Sequence, residues 1–232
     1  MTAQNLIDTP SWLDYFSQDI VGIKLEPIVT LSSQRQAGVE VLSILSATQC
    51  SEDFFRHQSA GWSMTLLDAQ LAALKNTPHG NNLFINLPIT VLTEPASFQR
   101  LIALKTGPLN IELVDSPVFL TFPAAQKQSV IQNLLQLKEQ GHRIWLDDID
   151  EIVVQPFLSC RLPLSGIKID KNAFWRLRAT PALRQLVSHC FQLAGKVLIE
   201  GIETERDRTL ALQAGADLGQ GYYWPSWTWP ED

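Results

Sequence analysis

Apolar residues along the chain fall into short runs, separated by stretches in which they recur every third or fourth position. Ile20 to Leu31 reads as a strand, and Ser32 to Gln36 breaks it. A second run, Val39 to Leu45, follows at hairpin distance. Between residues 52 and 76 the apolar groups, among them Phe54, Trp62, Met64, Leu67, Leu71 and Leu74, sit mostly at helical spacing. They predict one or two core-facing helices, ended by Pro78-His79-Gly80. From Leu83 onward strand and helix alternate. Leu83–Leu87, Leu109–Val114, Ile144–Leu146, Ser165–Asp170, Lys196–Glu200 and Ala216–Trp224 read as strands. Helices are expected from Ala96 to Leu104, Pro123 to Gln140, Ala173 to Ala194 and Glu205 to Gln213, with Gly141, Gly195 and Gly215 as stops. Ile152 to Leu162 has room for a short helix, broken by Pro156.

Short apolar strands alternating with helices argue for a parallel sheet with helices outside. The runs number about eight, which suits one closed α/β barrel of the TIM type better than an open sheet. No repeat or low-complexity linker divides the chain. The expected organisation is a lead-in over residues 1–19, where Trp12 and Phe16 could pack a short helix, and one barrel domain over residues 20–232.

Composition narrows the class without naming a function. The chain has 232 residues, 45% hydrophobic and 18% charged, as a folded globular protein does. A formal net charge of −6 argues against binding DNA or an anionic membrane through nonspecific attraction. Cys50, Cys160 and Cys190 form neither a disulfide framework nor a metal knuckle, so each reads as a small buried hydrophobe in a reducing compartment. The start does not resemble a signal peptide and no apolar run is long enough to span a bilayer, so the expected location is cytoplasmic.

Chemistry enters with the polar residues. Glu40, Asn86, Glu112, Asp147, Asp148, Lys168, Glu200 and Gln220 each lie within or just after an apolar strand, the two aspartates sharing one. Taken singly, each reads as an ordinary polar residue at a strand end, and Asp147-Asp148 as a solvated acidic turn. Taken together, they would meet at one mouth, because the C-terminal ends of barrel strands converge there. So many carboxylates in one cavity demand cations. Oxygen donors in that number suit a hard divalent ion, Mg²⁺ or Mn²⁺, better than zinc.

The same strand ends resemble, in order, the motifs of the EAL family of cyclic di-GMP phosphodiesterases. Glu40-Val41-Leu42 resembles the EAL signature, and Phe84-Ile85-Asn86-Leu87 the strand that ends in a ligand asparagine. Ile111-Glu112-Leu113-Val114-Asp115 is similar to the ELTE segment, and Leu146-Asp147-Asp148 to the start of the DDFGTG loop. Lys168-Ile169-Asp170 matches KID, Glu200-Gly201-Ile202-Glu203-Thr204 matches EGVET, and Gln220-Gly221-Tyr222 matches the closing QGY. One tripeptide is weak evidence; the ordered series from about residue 22 to 225 is specific.

The resemblance implies a modified TIM barrel with one antiparallel strand, which suits the early pairing of Ile20–Leu31 with Val39–Leu45. It implies two-metal hydrolysis of cyclic di-GMP to the linear dinucleotide. Glu40, Asn86, Glu112 and Asp147 would hold one ion, and Asp147 with Asp148 would reach the second. Gln220 and Glu200 would complete the surroundings. Lys168 would orient the attacking water, and Glu200 is the candidate base. Leu42, Asp115, Asp170, Glu203, Ile149 and Asp150 fall in the segments that bind substrate or form the adjoining loop.

This chain departs from the pattern in four places. Ile149-Asp150-Glu151-Ile152 replaces Phe-Gly-Thr-Gly, a loop that in the family adjoins the dimer interface; both glycines are gone. Asp115 shortens the last acid of ELTE. Ile44 stands where the family often has a phosphate-contacting arginine, and Glu26 where it has a glutamine before Pro-Ile-Val. A phosphodiesterase, weak or dependent on activation, is therefore expected. The alternatives are a non-catalytic regulator working through a protein partner, with Tyr222 to Trp229 as an aromatic anchor, and a cyclic di-GMP sensor that does not cleave.

Overall fold

The computed structural model describes residues 19–46, 51–75 and 82–229. The lead-in with Trp12 and Phe16, Cys50, and the helix stop expected at Pro78 to Gly80 lie outside the described residues. Chain order begins with β1 (Ile20–Thr30) and β2 (Gln36–Leu45), then α1 (Ser51–Arg56) and α2 (Ala60–Leu74). Next come β3 (Leu83–Pro88), α3 (Pro95–Ile102), β4 (Asn110–Val114), α4 (Val118–Thr121), α5 (Ala124–Glu139) and β5 (Arg143–Ile149). The remainder is α6 (Val154–Phe157), β6 (Gly166–Ile169), α7 (Lys171–Leu177), α8 (Pro181–Leu193), β7 (Val197–Ile199), α9 (Glu205–Ala214), β8 (Leu218–Gly219) and β9 (Trp227–Trp229).

Strands β2 to β8 pair in parallel, each with the next. Strand β1 closes the ring, antiparallel to β2 along most of its length and to β8 through Val29 and Thr30. The result is the expected mixed α/β barrel with a single antiparallel strand. The C-terminal aromatics extend it. Trp227 to Trp229 forms β9 against Leu25, Lys24 and Ile23, continuing along β1 where the short β8 leaves off. That run therefore covers one flank of β1, and does not plug the barrel bottom.

Local chemistry accounts for the other differences from the expected elements. The helix read over 173–194 is two helices, because Pro181 cannot continue the amide ladder and the Thr180 side chain caps the new start through Ala182 N. Helices α1 and α2 divide at Ser59, whose Oγ accepts from Trp62 N at 3.2 Å. Pro156 sits inside α6 without breaking it, since the first turn of a helix needs no amide donor there. The last barrel strand is two residues, not nine, because Gly221 at φ 147° turns the chain immediately after Gln220.

Period-two alternation gives the barrel interior two tiers. Ile28, Phe84, Trp145, Leu198 and Leu218 form a buried apolar cluster in the lower tier, apart from the main core between sheet and helices. Phe84 and Trp145 pack with ring centroids 5.1 Å apart. Glycine makes the room: a Cβ on Gly166 would lie 2.1 Å from Trp145 Cζ3, and one on Gly38 would lie 2.6 Å from Phe84 Cε2. Two residues further along the same strands, the interior becomes charged.

Candidate active site

The upper tier brings together Glu40 from β2, Asn86 from β3, Glu112 from β4, Asp147 from β5, Lys168 from β6, Glu200 after β7 and Gln220 after β8. Strand register enforces the meeting, since Asn86 lies opposite Glu112. Lys168 is its centre. Its ammonium, fully buried, lies 2.9 Å from Glu200, 3.2 Å from Glu40, 3.2 Å from Glu112 and 3.4 Å from Asp147. Glu40 also accepts from Asn86 Nδ2 at 2.7 Å and Gln220 Nε2 at 2.5 Å.

One cation does not balance this cluster. Burial, with Glu40 nearby, drives the Glu112 carboxyl well above its ordinary range. Burial raises Glu200 to about 8, with Asp147 and Glu40 adding to the effect and Lys168 opposing it. Asp147 is raised by burial as well. Glu40 is the exception: burial pushes it up, but Lys168, Gln220 and Asn86 together hold it below the usual value. For Lys168 burial favours the neutral amine, and the carboxylates around it prevail and raise its pKa.

The adjacent aspartates reach one place through a local backbone device. Successive strand residues face opposite ways, yet the β5–β6 ladder slips between Leu146 and Ile149, and Asp148 adopts φ 55°. Aspartate tolerates that left-handed geometry better than most residues. Oxygens of Asp147, Asp148 and Glu200 consequently lie within 4.8 Å of one another. Burial and Asp147 raise Asp148 to about 6.

The donor set fits hard divalent cations. Glu112 Oε2, Asn86 Oδ1 and Gln220 Oε1 are buried without a hydrogen-bond partner among the described residues, and Glu112 Oε1 and Asp147 Oδ1 have the shared Lys168 ammonium as their ion-pair partner. Buried oxygens are ordinarily satisfied, and leaving them bare is costly. Oxygen-only donors with surplus negative charge are what Mg²⁺ or Mn²⁺ takes.

The residues expected around this centre divide. Leu42 is half-buried on β2, opposite Lys24 of β1. Asp170 caps α7 by accepting from Asn172 N at 2.9 Å and Ala173 N at 3.0 Å, so its carboxylate holds a helix. Asp115 turns the chain after β4 at φ 53°, and Glu203 is exposed before α9. Ile149 is buried at the end of β5. Asp150 Oδ1 accepts from Ile152 N at 2.8 Å and Val153 N at 2.7 Å, and Glu151 makes a two-pronged ion pair with Arg176. None of residues 149–152 has positive φ, so the missing glycines cost this loop no backbone strain.

Two residues gain a place that spacing did not reveal. Glu26 lies opposite Glu40, and its Oε2 accepts from Gln220 Nε2 at 3.2 Å. Lys24 Nζ is 2.5 Å from Glu26 Oε1 and 5.4 Å from the centre of the Tyr222 ring. Their signal is the antiparallel register of β1, which cannot be counted off one strand.

A closed mixed barrel with this acidic mouth is the architecture of a known class, and the chain belongs to the EAL domain family, which matches residues 12–226. Among curated relatives, the cyclic di-GMP phosphodiesterase RocR of Pseudomonas aeruginosa is 26% identical over 98 residues, 40% of this chain and a quarter (25%) of RocR. Among solved structures, an EAL domain protein of Listeria monocytogenes superposes with a TM-score of 0.67 at 21% identity, covering 97% of this chain and 95% of that one. The calcium and cyclic di-GMP complex of Klebsiella pneumoniae BlrP1 gives 0.70 at 21% identity, over 96% of this chain and 57% of that one. No helix among the described residues is long and apolar enough to cross a membrane.

Proposed function

We propose that this chain hydrolyses one phosphodiester bond of cyclic di-GMP to give the linear dinucleotide, with two divalent cations, Mg²⁺ or Mn²⁺. The observation that carries the reading is the charged tier itself, a single buried ammonium shared among four carboxylates, with Glu112 Oε2, Asn86 Oδ1 and Gln220 Oε1 buried and without a hydrogen-bond partner among the described residues. Glu40, Asn86, Glu112 and Asp147 would hold one ion; Asp147 and Asp148 would reach the other, with Gln220 and Glu200 completing the set. Two bound ions supply charge neutralisation for the phosphodiester and a lowered pKa for the attacking water.

The chain's own residues do the positioning. Lys168 keeps its proton on Nζ, where the surrounding carboxylates hold it, and can orient the attacking water. Glu200, 2.9 Å from that ammonium, is the base on this side of the site. The backbone after Glu200 is fixed for close approach: Gly201 has φ 74°, and a Cβ there would lie 2.7 Å from Lys171 Cβ. Phe84 and Trp145 seal the floor, so water reaches the tier from the mouth.

A second reading, a regulator that binds a protein partner, draws support from Ile152 and Tyr222, which are 74% and 77% exposed. One assay separates the two. Purified chain with cyclic di-GMP and either metal should yield the linear product by chromatography, and Glu40→Ala should abolish it. Absence of product with both metals at high enzyme concentration sinks the hydrolase reading.

A further inference from the structure

We infer that Lys24 is the ligand-phosphate contact of this mouth, taking the place of the side chain that Ile44 cannot provide. The inference rests on the proposed cyclic di-GMP reading and adds a residue to it. Directly opposed residues of an antiparallel pair share a face. Glu26 pairs with Glu40, Lys24 with Leu42 and Gly22 with Ile44. Because Glu40 points into the charged tier, Lys24, Leu42 and Ile44 point to the same interior side, nearer the mouth. Lys24 and Ile44 are diagonal neighbours there, so a long side chain from either strand covers the same space.

Electrostatics gives Lys24 work to do. Lys168 is sealed beneath the carboxylates, whereas the Lys24 side chain is 29% exposed at the rim. Among the described residues, its charged partner is Glu26, whose other oxygen is tied through Gln220 to Glu40. That relay, Lys24 to Glu26 to Gln220 to Glu40, holds the ammonium over the acidic tier. Tyr222, with its ring 5.4 Å from Nζ, flanks it. An anionic phosphodiester at this rim would have the Lys24 ammonium within reach. A partly exposed ammonium can make a charge-assisted contact to phosphate as a point charge, and Lys24 is so placed.

The test is equilibrium binding of cyclic di-GMP to the full chain in calcium, the ion of the BlrP1 complex, with chromatography confirming intact dinucleotide. Lys24→Met should weaken binding about tenfold and flatten its salt dependence, as loss of one charge-assisted contact predicts. Lys24→Arg should hold affinity within about twofold, and Ile44→Arg added to Lys24→Met should restore it, since the two positions cover one space. Thermal melting of each variant verifies folding. Binding by Lys24→Met equal to wild type overturns this inference alone. A wild-type chain that does not bind overturns the reading of function beneath it, and Lys24 falls with it.

Discussion

The two tiers of the barrel interior are built by the same strands two residues apart, and they solve opposite problems. In the lower tier every polar group has been given a partner. Asn110 donates through Nδ2 to Asn82 Oδ1 at 3.0 Å and Leu83 O at 3.2 Å, and its Oδ1 accepts from the Trp145 indole at 3.2 Å. In the upper tier Glu112, two residues further along the same strand, is just as buried, and it has only a share of the Lys168 ammonium at Oε1 and no hydrogen-bond partner at Oε2 among the described residues. Packing and satisfied polarity stabilise the first; surplus charge destabilises the second until something positive arrives. The contrast locates function: a fold keeps an unbalanced tier where its chemistry requires one.

The sharpest way to break the comparison is to neutralise the upper tier. Glu112→Gln should cut turnover by about three orders of magnitude, because the proposed first cation site would lose a charged ligand. The same change should raise the unfolding free energy of the metal-free protein by about 1 kcal/mol, since a neutral amide spares the tier the cost of burying or protonating the Glu112 carboxyl. Denaturant unfolding with and without Mn²⁺ reads both effects. If metal-free Glu112→Gln is less stable than wild type, the upper tier is not under charge strain. In the lower tier the sign reverses. Gly166→Ala drives a methyl into Trp145 and should cost about 3 kcal/mol. Pairing it with Trp145→Leu should recover part of that loss. Asn110→Ala should cost about 2 kcal/mol by stranding the indole N–H and opening a small hole. An effect below about 0.5 kcal/mol would show that the lower tier is not a satisfied network.

Much of this was legible before any coordinates. Strand periodicity placed Glu40, Asn86, Glu112, Lys168, Glu200 and Gln220 at strand ends, and barrel geometry does bring such ends to one mouth. The antiparallel first strand was implied by the family resemblance, and the short break at Ser32 to Gln36 suited it. What pattern could not reach was anything depending on neighbours across the sheet. Lys24 joins the site through register with β2, and Gly166 exists for a Trp145 ring on the adjacent strand. Asp170, a site residue by its motif, also has a structural duty the motif does not show, its Oδ1 accepting from two amides of α7. At 149–152 the missing glycines showed where the chain departs from the motif but not how it is held: positive φ falls one residue earlier, on Asp148, and Asp150 and Glu151 supply their own supports. Periodicity reports which face a residue takes; it does not report who is already bonded there.

The smallest expected effect concerns His142, at the entrance to β5 below the lower tier. Its ring is 6% exposed, and Nδ1 accepts from Leu109 N at 3.1 Å, which requires an unprotonated Nδ1. Burial holds its pKa below the ordinary histidine value. The unfolded chain therefore binds a proton more readily than the folded one as pH falls below about 6.5. Stability from this group is fully present above that pH and declines below it, by no more than about 1.4 kcal/mol per pH unit for a single proton. His142→Gln, whose amide oxygen can accept the same Leu109 donor, should flatten this part of the pH–stability curve while leaving stability at pH 8 within about 1 kcal/mol of wild type. Urea midpoints between pH 5 and 8, measured at fixed salt and without metal, would show it as a difference between wild type and variant, in which the acidic tier largely cancels. Parallel curves would mean that His142 takes up its proton equally in the folded and unfolded chain, and that burial at the entrance to β5 does not hold the ring neutral.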